Sequence, residues 1–363
     1  MNCKSTIYKS LLFNFIIVLL ILTFLTGCYS YNRPSKVPIN TTELEPSHTT
    51  KVFVDMNGDY YPNNWKETIP ENELETSLYK AYKDHDKIAE LNTFRKRFLS
   101  DFKNKLQDKT NIYIFIHGFN TYEEDASIAF NNWKELINYD SDTDEIVEFY
   151  WDGLVADGLG RGKIWFNAVG YSQMAGLFGL RPLLNNMDGK KVFLLSHSRG
   201  ASVVLSAMGD PSWSRTFYSR TNRVLDDRLV NIPPLKSNNN NIAAILLAPA
   251  IGNIDFFKQD HKNSSITEIS NYRKLNSQLS SIRFTTNASD KILKKWFGPL
   301  SLKFNPTSIG HNGCDVPFLK KVYPTIEFIE YDFSKAKHSH GFNSYIRNPK
   351  LLDVLADAGI LRD

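Results

Sequence analysis

The chain has 363 residues, of which 42% are hydrophobic and 23% charged, and its formal net charge is +4. This length and composition are sufficient for one large domain with a buried apolar core. The basic and acidic residues are nearly balanced and the basic ones are not clustered, which argues against a nucleic-acid-binding protein.

The first 27 residues have the layout of a secretory signal. Lys4 and Lys9 precede an apolar run over 11–24, which leads into Leu25-Thr26-Gly27-Cys28. The motif resembles the lipobox of bacterial lipoproteins, which implies that Cys28 carries lipid such as palmitate and becomes the mature N-terminus. The alternative is an uncleaved membrane anchor, but the apolar run is shorter than the ~18–20 residues that a spanning helix needs. Tyr29 follows the cysteine where an Asp would favour the inner membrane, so we expect a lipid-anchored envelope protein, at the outer membrane in a Gram-negative cell.

The cysteine count indicates a fold without disulfides. Cys3 is lost with the signal and Cys28 is lipidated, which leaves Cys314 as a single thiol. The mature charge is about +2, since 41 basic residues stand against 39 acidic ones once Lys4 and Lys9 are removed. Residues 28–50 are rich in Ser, Thr, Pro and Asn and predict a flexible tether, so the folded domain is expected over 51–363.

Apolar runs alternate with helical segments along that domain. Strands are predicted at 51–56, 111–116, 145–151, 192–195, 241–250, 281–286 and 325–331. Helices are predicted within 71–105 (one or two), at 124–136, at 165–184 and from Ala201 onward. The alternation predicts an α/β fold with a mostly parallel central sheet and helices on both faces.

A turn between the second strand and its helix has the composition of an oxyanion loop. It reads His117-Gly118-Phe119-Asn120 and follows Ile116 directly. Gly118 allows the chain to turn, which leaves the Phe119 N–H as a candidate donor to a tetrahedral oxyanion. The side chains of His117 and Asn120 are expected to brace this loop rather than to take part in chemistry.

A second turn, Ser196-His197-Ser198-Arg199-Gly200, joins the fourth strand to its helix. The small residues Ser196 and Gly200 permit the sharp strand-to-helix turn called a nucleophile elbow, with Ser198 exposed at its apex and the Arg199 N–H as the second oxyanion donor. His197 is expected to point away from the pocket.

These two turns resemble a bacterial α/β-hydrolase family of undefined substrate, whose members carry an H-G-F-N loop and an S-H-S-x-G elbow. The resemblance extends over roughly residues 80–363 and includes the strand that ends in Trp151. It implies an α/β-hydrolase fold and a serine nucleophile. The family more often has Met after the nucleophile, so Arg199 is expected to place a cation at the mouth of the site.

The order Ser, acid, His along the chain directs the search for the other two catalytic residues. Asp290 follows a predicted strand and matches the acid position of the family, and Asp255 is the competitor. His340 is preferred to His338 as the base because it needs the smaller insertion relative to the family's Ser-Tyr landmark, which is Ser344-Tyr345 in this chain.

The sequence allows two roles for each of two further segments. The glycine-rich stretch 153–162 either borders the substrate or forms an ordinary surface loop. The polar stretch 210–241 is either a cap inserted over the pocket or a disordered surface excursion, and its asparagine run at 238–241 favours the second reading locally.

We therefore expect a carboxylic-ester hydrolase that acts on a small-molecule or lipid ester and needs no cofactor. His311, Cys314, His338 and His340 match no standard zinc spacing, so no metal is expected. An amidase, thioesterase or acyltransferase would use the same residues. The alternative from another class is a non-catalytic envelope lipoprotein that uses the hydrolase fold as a binding scaffold, and the spacing misfit at the histidine favours it.

Overall fold

The computed structural model describes residues 30–31, 33–34, 49–69, 77–157, 160–213, 217–219, 221, 227–258, 268–294, 307–336 and 339–362. The predicted signal, Cys28 and His338 lie outside these residues. Within them, no helix combines the length and the apolar character that crossing a membrane requires.

Seven strands form one sheet in the order β1-β3-β2-β4-β5-β6-β7, and every neighbouring pair is parallel. Their bounds are β1 Thr49–Val54, β2 Asn111–Ile116, β3 Asp144–Trp151, β4 Lys191–His197, β5 Asn241–Leu247, β6 Leu279–Thr286 and β7 Glu327–Asp332. The predicted α/β fold is confirmed.

Helices cover both faces of the sheet. They are α1 Trp65–Thr68, α2 Leu78–Asp84, α3 Ile88–Lys105, α4 Glu123–Leu136, α5 Gly160–Met174, α6 Arg181–Leu184, α7 Gly200–Met208, α8 Ser308–Asn312, α9 Val316–Val322, α10 Phe342–Ile346 and α11 Lys350–Asp357. A π-helical turn, Ala175–Leu180, joins α5 to α6. Short 3₁₀ turns lie at Asn253–Phe256, Ile269–Asn271 and Ser334–Ala336.

The core consists of two apolar layers separated by the sheet. Successive side chains of a strand point to opposite faces, so Ile114 of β2 packs in one layer and Phe115 in the other. The first layer is completed by helices that include Phe98 of α3, and the second by helices that include Trp133 of α4. Burial on both faces explains why the strands read as apolar runs rather than as alternating patterns.

Described residues at both ends of the segment 28–50, which is expected to be a flexible tether, make backbone contacts with the domain. Ser30 forms an isolated antiparallel bridge with Val155, and Thr49 and Thr50 already belong to β1. The polar composition predicts flexibility, whereas the described residues at both ends of the segment form backbone hydrogen bonds with the folded domain.

The described parts of the 210–241 stretch pack on the domain. Phe217 lies edge-on to Tyr171 of α5 at a ring-centroid distance of 5.3 Å. Arg228 forms a buried ion pair with Asp59 and lies 4.3 Å from the ring centroid of Phe178. These contacts fasten the described residues of the stretch, and its role as a cap stays a prediction.

Candidate active site

The elbow between β4 and α7 holds Ser198 in a left-handed backbone conformation, with φ of 51°. Non-glycine residues rarely adopt this conformation, and its occurrence often marks functional turns. Gly200 is required at the base of the turn, because a Cβ there would lie 2.7 Å from the His117 carbonyl oxygen. Gly118 faces the elbow equally closely, with a Cβ position 3.0 Å from the Ser198 Cβ.

Ser198, His340 and Asp290 form a continuous hydrogen-bonded chain. The Nε2 atom of His340 lies 2.8 Å from the Ser198 Oγ, and its Nδ1 atom lies 2.8 Å from Asp290 Oδ2. Ser198 follows β4, Asp290 follows β6, and His340 lies on the segment between β7 and α10. Since all three strands are parallel, their carboxyl ends meet at one edge of the sheet, where these side chains converge.

Asp290 is fixed by more than its contact with His340. Its Oδ1 atom accepts the backbone N–H groups of Ile292 and Leu293, and its Oδ2 atom accepts the Tyr345 hydroxyl at 2.8 Å. Burial alone would raise the pKa of Asp290, but the hydrogen bond and charge of His340, together with the Tyr345 bond, lower it to about 2. The carboxylate is therefore ionised at neutral pH.

Sequence reasoning uses Tyr345 only as a landmark for aligning the histidine and assigns it no role in the site. In the structure the residue is fully buried in α10 and receives a 3.1 Å hydrogen bond from Asn287 Nδ2. Asn287 comes directly after β6, so the chain of contacts runs Asn287, Tyr345, Asp290, His340, Ser198. An aromatic residue in an apolar helix is ordinarily core, and no local pattern distinguishes this one.

His117, which is expected to brace the oxyanion loop, makes two hydrogen bonds with its ring nitrogens. Its Nδ1 donates to the Gly118 carbonyl oxygen at 2.7 Å, and its Nε2 accepts the Trp151 N–H at 3.1 Å. These two bonds require a neutral imidazole, and burial lowers its pKa to about 4. In a trans peptide the C=O and the following N–H point in opposite directions. Holding the Gly118 carbonyl therefore directs the Phe119 N–H.

Asn120 ties this loop to the segment after β3. Its side-chain oxygen accepts the Ala156 N–H at 2.8 Å, and its own N–H donates to the Leu154 carbonyl at 3.1 Å. The N–H groups of Phe119 and Arg199 make no hydrogen bond to the described residues, so both remain able to donate to a ligand.

The expectation that Arg199 places a cation at the mouth of the site is wrong. Its side chain is fully buried and forms an ion pair with Asp255, with 3.0 Å between Nη2 and Oδ1. The guanidinium also donates to the Ala250 carbonyl and, at 3.3 Å, to the Ser172 Oγ. Asp255, the alternative acid, is therefore engaged by Arg199 and not by His340. The partners lie 56 positions apart in sequence, so no local signal reveals the pair.

His197 lies beneath His340, away from the Ser198 Oγ. Its Nε2 donates to the His340 carbonyl at 2.8 Å and its ring stacks on Phe342 at 4.7 Å. Burial lowers its pKa well below the usual value, so the ring is neutral. The adjacent histidine thus supports the backbone of His340. In the described part of the chain no cluster of three or more His, Cys, Asp or Glu residues is arranged to hold a metal ion.

The match to a family model accords with this architecture. A sequence model of the family described as "Alpha/beta hydrolase of unknown function (DUF900)" matches residues 94–293, which is more than half of the 363-residue chain. No curated protein matches the sequence. Among solved structures, the peroxisomal α/β-hydrolase Lpx1 of Saccharomyces cerevisiae is similar at 11% identity and a TM-score of 0.30, over 69% of this chain and 77% of that one. The protein belongs to the DUF900 family of α/β-hydrolases.

Proposed function

We propose that this α/β-hydrolase is a serine hydrolase of carboxylic esters, with Ser198 as nucleophile, His340 as general base and acid, and Asp290 as the carboxylate that orients the imidazole. The single observation that carries the proposal is the position of His340, whose two ring nitrogens lie 2.8 Å from Ser198 Oγ and 2.8 Å from Asp290 Oδ2. This is the arrangement that nucleophilic acyl transfer by serine requires.

The reaction follows from these contacts. Ser198 Oγ attacks the ester carbonyl carbon while its proton passes to His340 Nε2, and Asp290 stabilises the imidazolium. The tetrahedral intermediate collapses, the acyl group stays on Ser198 Oγ, and the alcohol leaves with the proton from His340. Water then attacks the acyl-enzyme by the same route, releasing the carboxylic acid and restoring the serine.

The backbone N–H groups of Phe119 and Arg199 are proposed to hold the oxyanion. Neither is used by the described residues, and each is held by a buried neighbour: His117 fixes the Gly118 peptide, and the Arg199 side chain is anchored by Asp255. Donors fixed in advance of the reaction stabilise the developing charge without reorganisation.

The non-catalytic alternative loses its main support. It rested on the spacing misfit between the histidine and the Tyr345 landmark, yet His340 lies within hydrogen-bond distance of Ser198 despite that misfit. A binding scaffold would need no base at this position and no ionised carboxylate behind it.

We also propose that Cys28 is lipidated and tethers the enzyme in the cell envelope, with the Leu25-Thr26-Gly27-Cys28 motif as the support. Expression in a bacterium fed an alkyne fatty acid tests this. The chain should carry label, the Cys28→Ser variant should carry none, and Cys3→Ser should label as the parent does. Equal label in Cys28→Ser would contradict lipidation at this cysteine.

Hydrolysis of p-nitrophenyl esters tests the activity, with two matched serine variants. Ser198→Ala should lower kcat by about 10³-fold or more, with folding unchanged. Ser196→Ala is the control, because its hydroxyl lies two residues away in buried β4 and has no hydrogen-bond partner among the described residues. It should leave turnover near the wild-type rate. Equal turnover by wild type and Ser198→Ala would contradict the proposal.

A further inference from the structure

Ser30, Tyr31 and Arg33, which come shortly after Cys28 in the sequence, contact the folded domain. The Ser30 N–H donates to the Val155 carbonyl at 2.9 Å, and the Val155 N–H donates to the Ser30 carbonyl at 3.0 Å. Tyr31 packs against an apolar cluster that includes Leu154 and Ile164. The guanidinium of Arg33 lies 5.3 Å from the Tyr31 ring centroid and 5.5 Å from that of Trp65. Ser30, Tyr31 and Arg33 therefore pack against the folded domain.

The docking point belongs to the wall of the candidate active site. Val155 follows β3, and its neighbours on both sides, Leu154 and Ala156, are the partners of Asn120 in the oxyanion loop. The docked segment, the loop after β3 and the oxyanion loop thus form one hydrogen-bonded layer. It lies at the carboxyl edge of the sheet, the same edge as Ser198.

Chain connectivity brings the predicted lipid close to the nucleophile. In the sheet, β3 is two strands away from β4, a lateral distance of about 10 Å. Only Tyr29 separates Cys28 from Ser30, so their Cα atoms can lie no more than about 7 Å apart. The attachment point of the predicted lipid is therefore tied by two peptide units to Ser30, which is hydrogen-bonded to Val155.

The segment after Asp290 presents apolar and basic groups at the same edge of the sheet. Ile292 is 43% exposed, and Lys291 and Lys294 are exposed beside it. An apolar side chain flanked by cations suits the interface of an anionic bilayer. This side of the site lies across Ser198 from the docked N-terminal segment, because β6 and β3 lie on opposite sides of β4.

We propose that the docked residues Ser30, Tyr31 and Arg33 hold the edge of the sheet that carries Ser198 against the membrane that carries the anchor, and that the substrate is a carboxylic ester of a lipid in that membrane. The inference rests on the proposed ester hydrolysis and on the lipidation of Cys28. The acyl group of the lipid transfers to Ser198 Oγ, the deacylated lipid alcohol leaves with the proton from His340, and water releases the fatty acid. A long flexible tether would let the active site reach soluble esters as well as esters in the bilayer. A docked N-terminal segment would restrict the active site to esters at the bilayer surface.

Two insertions in the full-length lipidated protein test the docking. An added stretch of about 15 Gly/Ser residues extends the reach of a chain by roughly 20 Å. Placed between Tyr29 and Ser30, it separates the lipid from the docked segment. Placed between residues 40 and 41, it lengthens the chain equally but leaves the lipid beside the docking point, which makes it the matched control.

Activity is measured in vesicles of phosphatidylethanolamine and phosphatidylglycerol. The membrane ester is 4-methylumbelliferyl palmitate and the soluble ester is p-nitrophenyl acetate. The first insertion should lower hydrolysis of the palmitate at least tenfold relative to the acetate, and the second should leave that ratio unchanged. Equal ratios in the two insertion variants would overturn the proposal.

A readout without catalysis separates this inference from the proposed activity. The Cys314→Ser substitution first removes the free thiol of the domain. A fluorophore is then attached either at Ile292→Cys or at Asp142→Cys. Position 142 comes before β3 and so lies at the opposite edge of the sheet. A spin-labelled lipid should quench the fluorophore at 292 and spare the one at 142, and the first insertion should remove the difference. Quenching without hydrolysis of either ester would refute the activity but retain the membrane-facing geometry. Equal quenching at both positions would refute the geometry.

Discussion

At the scale of single residues, the structure adds Tyr345 to the group chosen from the sequence. Its hydroxyl donates to the same Asp290 oxygen that His340 contacts, and it is itself held by Asn287. A second donor on that oxygen withdraws charge that would otherwise stabilise the protonated imidazole. Tyr345 therefore acts as a positioning residue through Asp290.

Tyr345→Phe is predicted to lower kcat/KM about tenfold, the equivalent of about 1.4 kcal/mol, which is close to the lower limit of about 1.5 kcal/mol for one hydrogen bond to a charged group. The acid limb of the pH–kcat/KM profile should move to higher pH, because Asp290 would then favour the imidazolium more strongly. Tyr331→Phe is the matched control, since its hydroxyl also donates to an aspartate, Asp357, but outside the site. Identical profiles for Tyr345→Phe and wild type would show that the hydroxyl has only a packing role.

The residues chosen from sequence show what local patterns can and cannot reveal. Ser198, Asp290 and His340 follow strands at positions that chain order and turn composition indicate, and the structure brings them together. The burial of Arg199 and the bond of Tyr345 to Asp290 depend on partners 56 and 55 positions away. A single sequence contains no signal for such pairings.

At the scale of elements, the buried strands were predictable because each is a continuous apolar run. The ends of the strands were harder to predict. The sequence predicts β1 over 51–56, but the strand ends at Val54, because Asp55 accepts the N–H groups of Asn57 and Asp59 and so begins a turn.

The Arg199–Asp255 ion pair joins three elements of the fold. Arg199 precedes α7, Asp255 lies in the turn Asn253–Phe256, and Ser172, which also contacts the guanidinium, lies in α5.

Asp255→Asn is predicted to reduce the free energy of unfolding by about 3–5 kcal/mol, because it leaves the Arg199 guanidinium buried without a counter-charge. The double variant Arg199→Met/Asp255→Asn should recover most of that loss, since Met fills similar volume without charge. Urea denaturation at pH 7 measures both. If the double variant were as unstable as Asp255→Asn, the buried charge would not be the cause.

At the scale of the whole molecule, buried histidines make stability depend on pH. His117 has a folded-state pKa of about 4, lowered by burial from 6.5. Between pH 6.5 and 4 the unfolded chain binds a proton that the folded protein excludes, so His117 favours unfolding increasingly as the pH falls. Asp55 acts in the opposite direction, because burial and then Asp59 raise its pKa to about 7. The total free energy of unfolding therefore combines two opposing contributions over the same pH range, and it does not isolate that of His117.

The contribution of His117 is therefore measured as a difference. Relative to the His117→Gln variant, wild type should lose about 3 kcal/mol more of its unfolding free energy between pH 6.5 and pH 4, which corresponds to 2.5 pKa units at about 1.36 kcal/mol each. Urea denaturation at several pH values provides both curves. Parallel curves would mean that His117 is charged or exposed, and its proposed control of the Phe119 N–H would then fail.

The most direct test of Ser198 as the nucleophile is to react the purified protein with a fluorophosphonate and to locate the modified residue by peptide mass spectrometry. One adduct is expected, on the peptide containing Ser198, and it should disappear in Ser198→Ala, persist in Ser196→Ala and be strongly reduced in His340→Ala. Modification of a different residue, or no adduct on folded protein that hydrolyses esters, would contradict the assignment of Ser198 as nucleophile.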